Sequence, residues 1–225
     1  MTNAPSLLVN NLTFGFDDRI VLDRLTFGLT AGVYWLQGVN GAGKSTLFKL
    51  LARALTPVGG AIALCGQPLA GMSAEQRQAI FLCGDELPRL HWLQGSEFVA
   101  LYAELYPNID RIALDLHLER LRLTAALLHS PIMSLSLGER KKLHLAVALS
   151  VDANLLLLDE PFNAIDVASA SYLRADLQSR VALGKQIVLL TSHADTGLSS
   201  GLRIAVLQGG PDSRVVVNDD GNGSN

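Results

Sequence analysis

The chain is 225 residues long, 49% hydrophobic and 17% charged, with a net charge of −3. A charged share below the usual ~25% excludes a disordered chain, and the balance supplies no global basic field for nucleic acid. Cys65 and Cys83 are too few for a disulfide framework and lack metal-ligand spacing, no run reaches the ~18 apolar residues of a membrane-spanning helix, and Met1–Ser6 lacks a leader pattern, so a soluble chain in a reducing compartment is expected.

In chain order, Ser6–Val9, Leu12–Phe16, Leu25–Leu29 and Val33–Leu36 read as strands, broken at Asp17-Asp18 and Ala31-Gly32. A glycine-rich loop, Gly38–Gly43, leads to a helix over Lys44–Leu55 that stops before Pro57. Ala61–Cys65 reads as a strand, Ser73 with Gln76 as a capping box, and Ile80–Cys83 as a short buried strand. The character then turns helical: Gly95–Tyr106, further pattern over Ile109–Leu128, and a long amphipathic helix over Ser136–Val151 with a basic first turn. Strands return at Asn154–Leu158, Gln186–Thr191 and Leu202–Leu207, with a helix Ala168–Leu183 between the first two. Val215–Val217 fits an edge strand, and 218–225 reads as a disordered tail. The expected fold is α/β, with an α-helical block over about 86–150 inserted in a core that runs through residue 217.

Gly38-Val39-Asn40-Gly41-Ala42-Gly43-Lys44-Ser45 fits G-x-x-x-x-G-K-[ST] between a strand and a helix. Glycines let successive backbone N–H groups curl around phosphate oxygens, and the helix N-terminus adds its dipole. Lys44 can bridge the β- and γ-phosphates, Ser45 can ligate Mg²⁺, and Thr46 can add phosphate contacts. Leu155–Leu158 followed by Asp159-Glu160 is a buried strand ending in two acids. Beside the P-loop strand it would deliver Asp159 to the Mg²⁺ shell and Glu160 to the attacking water.

Leu135-Ser136-Leu137-Gly138-Glu139, before that acidic strand, brings the sequence to resemble the ATP-binding cassette (ABC) ATPases, whose signature reads LSGGQ. The resemblance covers about Leu7 to Leu207. It implies a RecA-like P-loop NTPase core with an N-terminal antiparallel β subdomain and an inserted helical subdomain. It matches Phe16 to the aromatic residue that stacks on adenine, Asp85 to the Q-loop glutamine, Phe162–Asp166 to the D-loop, and His193, 33 residues after Glu160, to the switch histidine. Phe16 could instead belong to the core. Arg140, Lys141 and Lys142 are read as a solvated helix face rather than a nucleic-acid patch. Two departures stand out: Leu137 replaces the first signature glycine, and Asp85 replaces the Q-loop glutamine, where it could ligate Mg²⁺ directly, with Glu86 the alternative occupant.

The resemblance further implies ATP and Mg²⁺ as cofactors, with Glu160, His193 and Lys44 catalytic. Phe16, Gly38, Asn40, Gly41, Gly43, Lys44, Ser45, Thr46, Ser136, Gly138 and Asp166 would contact nucleotide, and Ser45, Asp159 and Asp85 the metal. Ser136 and Gly138 would complete the site of a second subunit, giving an ATP-driven head-to-tail dimer, a homodimer in the simplest case. An integral membrane subunit is the second expected partner, placing the chain on the cytoplasmic face of the membrane; no nucleic-acid partner is expected. The wording of the motifs is nearest to small exporter ATPases such as the haem-exporter subunit. Alternatives are a non-transport ABC ATPase, which would carry two cassettes or a long coiled coil, and a regulatory module that holds ATP without turnover, which would lack Glu160 or His193. Trp92, in Leu87–Leu93, either caps the local core or meets the membrane subunit.

Overall fold

The computed structural model describes residues 4–17, 19–84, 90–193, 196–198, 202–210 and 213–218. The predicted strands Ser6–Val9 and Leu12–Phe16 are one continuous strand, β1 (Ser6–Phe16), antiparallel to β2 (Arg19–Thr30). Val9 lies opposite Phe27 but Leu12 opposite Leu25, so β1 carries an extra residue there. This bulge bends the strand without ending it, which is why a break at Asn10-Asn11 looks plausible from sequence. Gly60, on the strand paired alongside, sits at φ +84, and a Cβ there would lie 2.3 Å from the Asn11 carbonyl oxygen.

β3 (Gly32–Gln37) runs through the P-loop into α1 (Lys44–Leu51), shorter than the predicted Lys44–Leu55. Arg53 takes a left-handed conformation (φ 59) and donates to the Met72 carbonyl, turning the chain out of the helix. β4 (Gly59–Leu64) pairs with β1, and β5 (Gln67–Pro68) with β4, giving a four-stranded sheet in the order β2-β1-β4-β5. A short α2 (Ala74–Arg77) opens with the expected Ser73–Gln76 capping box and precedes β6 (Ile80–Cys83).

The helical block follows: α3 (Gly95–Leu105), α4 (Arg111–Arg120), α5 (Ala125–Leu128) and α6 (Leu137–Ser150). β7 (Leu155–Leu158), α7 (Val167–Leu183), β8 (Ile187–Leu190), β9 (Leu202–Gln208) and β10 (Arg214–Asn218) complete the chain. The expected edge strand is therefore present and takes in Asn218; the rest of the expected tail, 219–225, lies outside the described residues. The second sheet has the order β10-β9-β3-β8-β7-β6, parallel except for the β9–β10 pair.

The central strands explain the solid leucine runs. Leu156 and Leu158 of β7 face α3, α4, α6 and α7, whereas Leu155 and Leu157 face α1 and the antiparallel sheet. Val188 and Leu190 of β8 alternate with Ile187 and Leu189 in the same way. A strand covered on both faces has no polar side, so alternation disappears from its sequence.

α6 corrects an expectation. Every residue from Lys141 to Ser150 is buried, so this is an enclosed helix and not an amphipathic one. Nor do Lys141 and Lys142 form a solvated face; they are 4% and 8% exposed, and each is hydrogen-bonded inward. Cys83 is in the core as expected. Trp92 is 70% exposed beside Met133, also 70% exposed: their segments are joined by the Met133 N–H to the His91 carbonyl (3.1 Å) and the Ile132 N–H to the Leu93 carbonyl (2.8 Å). The core reading of Trp92 is therefore excluded.

Candidate active site

The C-terminal ends of β3, β7 and β8 converge on a cleft of about 940 Å³. Parallel strands direct their loops to one end, so residues distant in sequence meet there. The Gly38–Gly43 loop forms one wall. Gly43 is the N-cap of α1 at φ 97 and has no side chain with which to cap it, so the first-turn N–H groups stay free of a side-chain acceptor. A Cβ on Gly43 would sit 3.0 Å from both Val21 and Leu22 of the hairpin above, and a Cβ on Gly38 2.7 Å from the Leu207 carbonyl oxygen. The glycines thus serve both the curl of the loop and its close packing. Lys44 folds over the loop, its ammonium donating to the Gly38 carbonyl at 2.7 Å and the Val39 carbonyl at 3.3 Å.

Asp159 and Glu160 end β7 on the opposite wall. The Thr191 hydroxyl, at the end of β8, donates to Asp159 Oδ1 at 2.7 Å and accepts the Glu160 N–H at 2.9 Å. Glu160 sits at φ 49, a conformation that costs a non-glycine residue about 1–2 kcal/mol. The His193 N–H donates to Glu160 Oε2 at 3.1 Å, and His193 Nε2 lies 3.6 Å from Oε1.

Phe16, Asn40, Gly41, Gly43, Lys44, Ser45 and Thr46 line this cleft together with Asp159, Glu160 and His193. Phe16 is half exposed and packs edge-on against Phe14 at 5.0 Å, which favours the cleft over the core for its free face. Asp17, Arg19 and Val21 also line the cleft and were not singled out from sequence. Their signal was position: they flank Phe16 across the hairpin turn.

Gly38 opens the loop without lining the cleft, and three further sequence-predicted residues stand elsewhere. Ser136 caps α6 in a reciprocal box: its Oγ accepts the Glu139 N–H at 3.2 Å, and its own N–H donates to Glu139 Oε2 at 2.7 Å. The Ser136 hydroxyl donates to the same carboxylate and, as the leading cause, holds the Glu139 carboxyl below its usual range. This accounts for glutamate where the ABC signature has glutamine, because a carboxylate suits a helix N-terminus. Gly138 presses on the D-loop: a Cβ would lie 2.4 Å from the Ala164 carbonyl oxygen. Asp166 caps α7, accepting the Ser169 N–H and hydroxyl, each at 2.9 Å, and pairing with Lys142 at 3.1 Å. The Ser169 amide, then its hydroxyl and Lys142, keep the Asp166 carboxyl well below the usual carboxylate range. Asp85 and Glu86 lie outside the described residues.

A glycine loop feeding an uncapped helix, a lysine over that loop, and two acids with a histidine on the facing strand ends define a P-loop nucleotide hydrolase. Comparison with known proteins narrows the class. A family profile described as ABC transporter matches residues 22–163. The chain is 32% identical over 199 residues to the cytochrome c biogenesis ATP-binding export protein CcmA of Idiomarina loihiensis, covering 88% of this chain and 90% of that protein. It is 35% identical over 211 residues to the taurine import ATP-binding protein TauB of Yersinia pestis, covering 91% and 80%. A solved structure of the ATP-binding subunit of an ABC transporter superposes with a TM-score of 0.79 at 25% identity, covering 95% of this chain and 89% of that one. The chain belongs to the ABC transporter ATP-binding family, and it is a transport ATPase of that family that binds ATP and works with a membrane transporter component. No helix among the described residues is long and apolar enough to cross a membrane itself.

Proposed function

We propose that this chain hydrolyses ATP at the cleft between the P-loop and the ends of β7 and β8, and that ATP-driven pairing of two copies powers export through a separate membrane subunit. The observation that carries the reading is the meeting of Lys44, Asp159, Glu160 and His193 on one cleft with Phe16 at its rim. The α1 amides and Lys44 hold the β- and γ-phosphates, and Phe16 stacks on adenine. A hydroxyl at Ser45 and a carboxylate at Asp159, both on the cleft, fit the hard oxygen ligands Mg²⁺ prefers. When bound, Mg²⁺ would offset the charge of the triphosphate and its neighbouring acids. Asp85 is retained in this reading as a third ligand on the strength of its place in the sequence. Glu160 accepts a proton from the attacking water, and His193 holds the Glu160 carboxylate and contacts the γ-phosphate.

Ser136 and Gly138 do not line the chain's own cleft, which suits the role of completing the site of a second copy. Loss of the γ-phosphate then removes the contact that favours the closed pair. In this reading residues 1–217 act as one ATPase unit whose helical block relays closure to the membrane subunit at the Trp92–Met133 patch. Export is favoured by the motif wording and by likeness to CcmA. The chain then sits on the cytoplasmic face of the membrane, held there by its partner. Replacing Lys44 by Ala tests the site: fluorescent-nucleotide titration should show ATP affinity falling by at least about tenfold, as expected for a lost charge-assisted phosphate contact. Unaltered affinity would place the nucleotide elsewhere.

A further inference from the structure

The Lys141 ammonium is buried where three elements meet. It donates to the carbonyl of Asp159, just beyond β7, at 2.7 Å and to the carbonyl of Gly84, just beyond β6, at 3.1 Å. β6 and β7 are parallel neighbours in register through Cys83 and Leu158, and the Asp159 N–H adds one more bond to the Cys83 carbonyl at 2.9 Å. Among the described residues no further bond joins the two strand ends beyond that point, and a partly buried carbonyl left without a donor is costly. Lys141 donates to the next carbonyl of each strand from a single atom. Its own helix, α6, begins at the signature Ser136, and the residue after Lys141 ties that helix to Asp166 of the D-loop.

We infer that Lys141 is a positioning residue: it locks the strand end that carries Asp159 to the strand end that leads into Asp85, and fixes both to the signature helix. The Asp159 side chain is steered from two sides. Thr191 holds its carboxylate, and Lys141 holds its peptide carbonyl. Without Lys141 the peptide can rotate toward another donor, taking the carboxylate off its aim. A purely electrostatic role makes the opposite forecast, because deleting a cation beside the acids would draw a divalent metal in more tightly.

The test is the Mg²⁺ dependence of ATP binding by the full chain, without turnover, for Lys141→Met, Lys141→Arg and Lys141→Gln. Lys141→Met should raise the Mg²⁺ concentration for half-maximal binding by about tenfold, the scale of losing a partner that orients a metal ligand. ATP binding in EDTA should stay within about twofold, and Lys141→Arg, which retains donors, should restore most of the Mg²⁺ response. If Lys141→Met does not fold, Lys141→Gln is read by the same criteria. An unchanged Mg²⁺ requirement with a lowered melting temperature would make Lys141 a filler of the core, and a lowered Mg²⁺ requirement would make it a counter-charge; either overturns the inference. The inference rests on Asp159 as a Mg²⁺ ligand. Asp159→Asn, measured alongside, tests that reading separately: no change in its Mg²⁺ requirement would sink the ligand assignment itself.

Discussion

Thr191 and Asp159 are joined by a 2.7 Å hydrogen bond in which the hydroxyl donates to the carboxylate, and the same hydroxyl accepts the Glu160 N–H. One fully buried side chain from β8 thereby fixes the two acids that end β7. It also stabilises Glu160 in its left-handed conformation, since the amide it holds belongs to that residue.

Replacing Thr191 by Val keeps the shape and removes both bonds. Because a buried group left without its partner costs about 1–3 kcal/mol, chemical denaturation should show a loss of that size. Turnover should fall by about tenfold or more through misplacement of the acids, while ATP binding persists. Thr191→Ser should recover most of the turnover. Equal activity in wild type and Thr191→Val would remove Thr191 from the account.

His144 provides a second test, in the core. It is wholly buried among Phe81, Phe98 and Tyr102, with ring centroids 5.7–6.0 Å away, and neither ring nitrogen has a hydrogen-bond partner among the described residues. Burial, with a smaller contribution from Lys141, pushes its pKa down to about 3 from 6.5. The folded-state value is the lower one, so the unfolded chain binds the proton first. Stability is complete above about pH 6.5 and drains as pH falls toward the folded-state value. At pH 5 the loss from this residue is about 2 kcal/mol, a figure insensitive to how far below 5 the folded value lies. His117, whose pKa burial also lowers, adds loss of the same sign. His144→Leu should be more stable than wild type at pH 7.5 and should lose less stability between pH 7.5 and 5 in urea titrations. Parallel pH slopes would contradict the burial of an unpaired imidazole.

The Trp92–Met133 patch bears on the partner. With Trp92 70% exposed, Trp92→Glu should leave the melting temperature and ATP binding of the isolated chain unchanged. Pull-down of the membrane subunit should weaken by about 2 kcal/mol or more if this aromatic anchors the interface. Undiminished pull-down would place the interface elsewhere.

What sequence revealed and what it concealed follow from the kind of constraint at each position. The P-loop was legible because every residue in it answers to one short-range demand; Asp159 and Glu160 followed from the apolar strand that ends in them, and Phe16 and His193 from the resemblance to the ABC ATPases. The β1 bulge was not, since Asn10-Asn11 resembles a turn until the register against β2 is known. α6 was misjudged because its basic residues imitate a solvent face, whereas Lys141 and Lys142 carry their charges to specific buried partners. The Ser136–Glu139 capping box has the same S-x-x-E/Q spacing as Ser73–Gln76, but it lies inside the signature, where the resemblance points to nucleotide contact instead. Thr191 carries no periodic signal: a hydroxyl ending an apolar strand declares its role only when Asp159 stands beside it.

If Glu160 activates the water that cleaves ATP, Glu160→Gln in the complex with its membrane subunit should bind ATP within about twofold of wild type, hydrolyse it at least about 10²-fold more slowly, and give an ATP-trapped dimer on size-exclusion chromatography. Hydrolysis by Glu160→Gln at the wild-type rate, with no trapped dimer, would show that Glu160 does not activate the water.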